Sequence, residues 1–200
     1  MKFALKLATA AALAFACSSA SATILESRVH VDDSFIAYIS TSDSVAGTEF
    51  SSGNVWSEAS FGSVELKAGQ NYFLHILAIN SGAMAGVLGE FSLFDSSHTF
   101  ANGAQNLLTN TTDWIGNNTG FGAANVELGD YGFNGSEPWY YRDDLSTDAK
   151  WIWAGYNEWT DAAYLSTRII ANELPAEVPE PGSLALLGLA GLAALKRRHA

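Results

Sequence analysis

Between the two ends of this 200-residue chain, the side chains equipped for chemistry are three histidines, a few paired carboxylates and one cluster of aromatics. His30, His75 and His98 share no metal-ligand spacing such as His-x-x-x-His and no neighbouring cysteine, so a zinc centre is not expected. His75 sits inside the apolar run Tyr72–Ile79, where an imidazole reads as a satisfied wall residue rather than a general base. No Gly-x-Ser-x-Gly elbow accompanies the many serines. Asp143-Asp144, and Glu137 with Asp148, are of the residue type that hydrolyses glycosides, but that reaction needs a through-space separation of about 5–10 Å, which chain spacing does not supply. The chain is therefore read as non-catalytic and without a cofactor, a glycan hydrolase being the weaker alternative. Asp32 and Asp33, or Asp143 and Asp144, offer hard oxygen donors for a structural calcium ion, without EF-hand spacing. Trp139, Tyr140, Tyr141 and Arg142 lie in a Gly-rich polar stretch. Exposed rings there would stack on the apolar face of a sugar while Arg142 and nearby carboxylates bond its hydroxyls; the competing reading is that the rings cover one end of a sandwich. Trp151, Trp153 and Trp159 read as packing residues.

Both ends carry targeting chemistry. Lys2 and Lys6 precede an apolar run, Leu7 to Cys17, and Ala20 and Ala22 supply the small residues a signal peptidase requires before Thr23. A lipoprotein signal at Cys17 is the rival, but Ala14 and Phe15 stand where a lipobox carries other residues. With cleavage after Ala22 the mature chain has no cysteine, so disulfides cannot staple it. At the other end, Val178, Pro179, Glu180 and Pro181 hold the backbone extended, as a peptidase cleft prefers. An uncharged stretch, Ser183 to Leu195, follows and then Lys196, Arg197 and Arg198. That stretch would rise roughly 20 Å as a helix, short of the roughly 30 Å hydrocarbon core. The basic end would stay on the cytoplasmic side and stop transfer.

Motif, short apolar helix and basic end, in that order, resemble the PEP-CTERM sorting signal of Gram-negative bacteria that make exopolysaccharide. A tail of this kind also goes under the name of an ice-binding protein C-terminal domain, which implies nothing about ice. The resemblance implies an exosortase as partner, a transient membrane anchor through the C-terminal helix, and delivery to the outer surface or extracellular matrix. The alternative is an ordinary C-terminal anchor, which has no need of Pro-Glu-Pro.

What must position the central residues is one domain. Signal peptide 1–22, domain 23–172, linker with the Pro-Glu-Pro motif 173–182 and tail 183–200 divide the chain. Between Thr23 and Val178, twenty acidic residues face five basic ones, a net charge of −15 that excludes nucleic acid as a partner. Strand periodicity appears in Ser34–Ser40, Ser63–Lys67, Tyr72–Ile79, Lys150–Ala154 and Ala163–Ile170, with a strand pair expected in Gly86–Phe94. Leu107–Thr109 and Asn125–Leu128 are shorter candidates, and Ser40–Gly53 and the Asn/Gly-rich region from 102 to 135 read as loop. These elements predict an all-β chain, an antiparallel β-sandwich, flanked by an N-terminal signal helix and a short C-terminal hydrophobic helix. Asp32-Asp33 leading into Ser34–Ile39, then Trp56, the Val64–Asn71 hairpin, Ala78–Gly82, Ala85–Gly89, Thr112-Asp113-Trp114 and the Ala149–Trp153 and Tyr164–Ile169 segments resemble the galactose-binding-domain-like jelly roll. That resemblance implies loops at one end that bind sugar, although Ser40–Gly53 lacks the expected Asn-Gly turn and residues 117–144 have no counterpart. Two roles stay open: an exported protein that binds glycan or exopolysaccharide, and a purely structural or adhesive matrix component.

Overall fold

A computed structural model describes residues 22–155 and 161–172. Ala20, Trp159, the sorting motif Val178–Pro181 and the basic end Lys196–Arg198 lie outside the described residues. In chain order the strands are β1 (Thr23–Asp32), β2 (Ser34–Ser40), β3 (Thr48–Gly53), β4 (Ser60–Leu66), β5 (Tyr72–Ile79), β6 (Gly86–Leu93), β7 (His98–Phe100), β8 (Asn106–Leu108), β9 (Ile115–Asn117), β10 (Leu128–Phe133), β11 (Lys150–Ala154) and β12 (Ala162–Ala171). They form two antiparallel sheets packed as a sandwich. One runs β10-β11-β6-β1-β4 with β8 also on β6; the other runs β3-β2-β5-β12-β7 with β9 also on β12. No helix occurs among the described residues.

Alternation sets the core. Leu25, Val29 and Val31 point inward from β1 and meet Phe35, Ala37 and Ile39 of β2, Leu74, Ile76 and Ala78 of β5, Phe91 of β6, and Leu165 and Ile169 of β12. Several strands depart from the sequence reading: β7 was not anticipated, and β9 and β10 lie in the stretch from 102 to 135 read as loop, where the Asn125–Leu128 candidate reaches only the first residue of β10. β1 was not expected, although its inward positions are apolar, because Glu26, Arg28, His30 and Asp32 break the apolar run at every second position. β3 lies in the stretch read as loop, since a Ser/Thr-rich edge strand carries little apolar signal. Gly86–Leu93 is one strand rather than a pair: Gly89 stays in register opposite Val29 and its N–H donates to Thr109 Oγ1 at 2.9 Å.

A second apolar layer covers the outer face of the first sheet. Residues 134–149 leave β10, fold back across that face and return as β11. Trp139 stacks on Trp151 with centroids 4.5 Å apart and planes 20° from parallel, and Leu88, Leu145 and Ala149 complete the cluster. Three outward positions of β1 bind this segment. Arg28 Nη1 donates to the Asp144 carbonyl, His30 Nε2 lies 3.0 Å from Asp144 Oδ1, and Asp32 Oδ2 accepts from Trp139 Nε1 at 2.9 Å. Residues that hid β1 from a hydropathy reading are the ones that fasten the extra layer.

The strand directions divide the molecule into two poles, separated by the ten residues of β1 or roughly 30 Å. At one pole Thr23 Oγ1 accepts from Asp95 N at 3.2 Å, while Asn172 bonds the same turn through its N–H to Ser97 O and its side chain to Ser96 O, both at 2.8 Å. Both joints to the targeting segments are thus fixed to one turn. At the opposite pole lie the β1–β2 turn, the β3–β4 loop, the β5–β6 turn and the 134–149 segment.

Gly86 lies under the tryptophan stack, where an added Cβ would stand 2.8 Å from Trp151 Cε3 and 3.1 Å from Trp139 Cζ2. Gly86→Ala is expected to cost about 1–3 kcal/mol, because neither buried ring has room to move. Urea unfolding followed by tryptophan fluorescence should show the lower midpoint; an unchanged midpoint would mean that the stack yields without cost.

Candidate functional site

Four connections meet at the pole away from the targeting segments, and short polar contacts fix each one. Ser81 N donates to Asp33 Oδ2 at 2.7 Å, joining the β5–β6 turn to the β1–β2 turn. The fully buried Asn80 ties its own turn through Nδ2 to Ala83 O and Oδ1 to Gly82 N, at 3.2 and 2.9 Å. Asn134 does the same for the long segment: Nδ2 donates to the carbonyls of Arg142, Leu145 and Ser146 at 2.7, 3.2 and 3.3 Å, and Oδ1 accepts from Arg142 N at 2.8 Å. A buried side-chain amide so placed replaces a backbone ladder the loop cannot form. Arg142 is therefore held at both its N–H and its C=O.

On this scaffold the aromatic cluster divides. Trp139 is 1% exposed, with its ring packed on Trp151 and its N–H used by Asp32, so its faces are closed to a sugar. Tyr140 and Tyr141, next in the chain, are 61% and 56% exposed. Tyr140 has φ of +61°, a left-handed backbone uncommon for an aromatic residue, which turns the chain from the buried stack to the surface. Arg142 reaches to the β3–β4 loop. Its guanidinium carbon lies 5.1 Å from the centroid of Trp56, and Nη2 donates to Trp56 O at 3.5 Å. Trp56 is 44% exposed, whereas Trp114, Trp139, Trp151 and Trp153 are buried. The surface is thus Trp56, Arg142, Tyr140 and Tyr141. Trp56 was not among the residues expected to bind a ligand; a tryptophan between Asn54 and Ser57, in a loop with little else apolar, was the available signal.

The carboxylates singled out from the sequence have separate surroundings. Asp32 is held above the usual carboxylate range by burial, with Asp33 pushing the same way while the Trp139 N–H and Arg142 pull it down. Asp144 is turned onto His30, Asp143, Glu137 and Asp148 are exposed, and Glu90 Oε2 accepts from Ser146 N at 3.2 Å. Among the described residues no three His, Cys, Asp or Glu side chains gather as a metal site, at Asp32 and Asp33 or at Asp143 and Asp144.

The three histidines among the described residues are buried, and each joins a loop to the sandwich. His30 holds the 134–149 segment, and His98 Nε2 lies 3.0 Å from Gln70 O in the β4–β5 turn. His75 Nε2 donates to Ser42 O at 3.0 Å, so its Nδ1 is the acceptor for Ser166 Oγ–H at 2.7 Å. Phe73 and Phe121 flank the ring at centroid distances of 5.7 and 4.3 Å. Burial lowers the His75 pKa, opposed in part by the Ser42 carbonyl and by Asp43.

The linkage has a definite sign. As pH falls below about 6.5, the unfolded chain takes up this proton before the native state does, so the stability that neutral His75 contributes is present above that pH and lost as pH falls. Melting temperature should therefore decline on acidification from pH 7 to 5. His75→Gln should remove part of that slope; an unaltered slope would exclude His75 as its source.

The PEP-CTERM protein-sorting motif matches the chain over residues 177–198. No curated protein and no solved structure matches it.

Proposed function

We propose that this chain, which carries a PEP-CTERM sorting motif at residues 177–198, is a non-catalytic protein of the cell surface or exopolysaccharide matrix that contacts glycan through its sandwich domain. The motif implies export, a transient membrane anchor and processing by an exosortase. What it delivers is a β-sandwich whose loops are fixed by structural hydrogen bonds and whose histidines are engaged in loop attachment.

The observation that carries the reading is the division of the poles. Thr23 and Asn172 are tied to the turn at residues 95–97, so leader and tail depart from one pole. Trp56, Tyr140, Tyr141 and Arg142 occupy the other. A domain held at the membrane by either end therefore presents its exposed aromatics away from the bilayer, toward whatever polymer surrounds the cell. Glycan contact suits that surface because rings supply apolar area while a guanidinium supplies fixed donors.

Expression of the full-length protein in a PEP-CTERM host with and without its exosortase, followed by intact mass determination, tests the delivery. The expected product begins at Thr23 and ends near Val178–Pro181, and the C-terminal trimming is absent in the deletion strain. An intact tail in both strains would make the C-terminus a plain anchor and remove the matrix assignment with it.

A further inference from the structure

We propose that Trp56 and Arg142 together form a binding site for a neutral pyranose, with Tyr140 and Tyr141 as its rim; this rests on the glycan-contact reading above. Trp56 is the one tryptophan among the described residues that is not buried, and it lies in a loop of Asn, Ser, Glu and Val rather than over the core. An indole left about half exposed forgoes the stabilisation that burial would give it. The sequence nevertheless brings a guanidinium to it from 86 residues away and locks that residue's backbone with Asn134.

Arg142 differs from the two other cations that lie over aromatic rings. Lys150, over Phe133, is bonded to Asp130 at 2.6 Å, and Arg28, over Phe61, donates through Nη1 to the Asp144 carbonyl, its Nε being without a partner as in Arg142. The Arg142 guanidinium makes one long hydrogen bond, to the neutral carbonyl of Trp56. Donor capacity directed by an aromatic surface matches the hydroxyl and ring oxygens of a sugar whose C–H face lies on the indole.

Charge selects among sugars. Asp32 stands close enough to Arg142 that the guanidinium acts on its carboxyl, and the span from Thr23 to Val178 carries a net charge of −15. A polyanion would meet a single guanidinium in a field of the wrong sign. A neutral saccharide does not meet that cost. Trp139 is excluded as the ligand platform because its ring belongs to the buried stack.

Affinity electrophoresis of the processed, secreted protein through gels containing dextran, galactan or alginate separates the outcomes. The wild type should be retarded by at least one neutral polymer and not by alginate. Trp56→Ala and Arg142→Gln should each weaken that retention by about tenfold or more, with melting temperature unchanged for Trp56→Ala. Tyr140→Ala should have a smaller effect. Retention by a neutral polymer that survives both Trp56→Ala and Arg142→Gln would overturn this site and leave the glycan reading standing. Retention by alginate alone would overturn the neutral-sugar assignment. No retention by any of the three, nor by the host's own purified exopolysaccharide, would overturn the site and the glycan reading together, while the processing experiment would still report on export.

Discussion

The arrangement of the distal surface depends on the stacking of Trp139 against Trp151. These rings lie in the same strand-to-strand connection, one in its irregular part and one in the returning strand, and bring it down onto the outer face of the first sheet. Without the stack, residues 134–149 would be an acidic loop with no reason to touch β1. With it, Asp144 reaches Arg28 and His30, Ser146 reaches Glu90, and the chain emerges past Tyr140 and Tyr141 with Arg142 directed at Trp56. Truncating a buried tryptophan typically costs about 3–5 kcal/mol, a large share of the stability of a domain this size. The exposed corner of the segment is thus a by-product of a buried hydrophobic contact.

With no cysteine among the described residues, the long loops need some means of attachment other than disulfides, and the buried imidazoles supply it. Each of the three joins two elements distant in sequence: His30 to Asp144, His75 to Ser42 and Ser166, His98 to Gln70. At His75 the neutral imidazole donates through Nε2 to Ser42 O and accepts at Nδ1 from Ser166, so one side chain satisfies two partners without burying a net charge. The asparagines extend the scheme: Asn80, Asn117 and Asn134 satisfy backbone groups within turns that have no ladder. Unlike disulfides these contacts act on the native state rather than on the entropy of the unfolded chain, so they fix geometry more than they add stability.

How much of this was legible in the sequence follows from which residues face which layer. β2, β5 and β11 bury apolar side chains in runs, and their bounds were readable to the residue. β1 was not, because its outward positions hold the polar side chains of Arg28, His30 and Asp32, which make sense only beneath a third layer. The Leu107–Thr109 candidate falls within one residue of β8, whereas β7 and β9, three residues each, are too short for a period to register. For the surface, composition singled out residues 139–142 but did not separate the buried Trp139 from the exposed Tyr140 and Tyr141. Trp139-Tyr140-Tyr141-Arg142 does turn at an exposed corner, but stacking of Trp139 on a tryptophan twelve residues later is a long-range fact that local polarity cannot reveal. Trp56 lacked aromatic neighbours in sequence and acquires its partner only through the fold.

The order of the strands bears on how such a protein leaves the cell. β12 is the last strand, yet it sits inside its sheet, paired to β5 on one side and to β7 and β9 on the other. Until Ala171 has crossed the membrane, the second sheet lacks the strand that joins its parts, and Leu165 and Ile169 are missing from the core. The sorting motif begins six residues after Ala171, a reach of roughly 20 Å in an extended chain. At the end of β12, Asn172 is fastened to Ser96 and Ser97, the turn that also holds Thr23 at the start of β1, so the first and last strands are pinned to one turn.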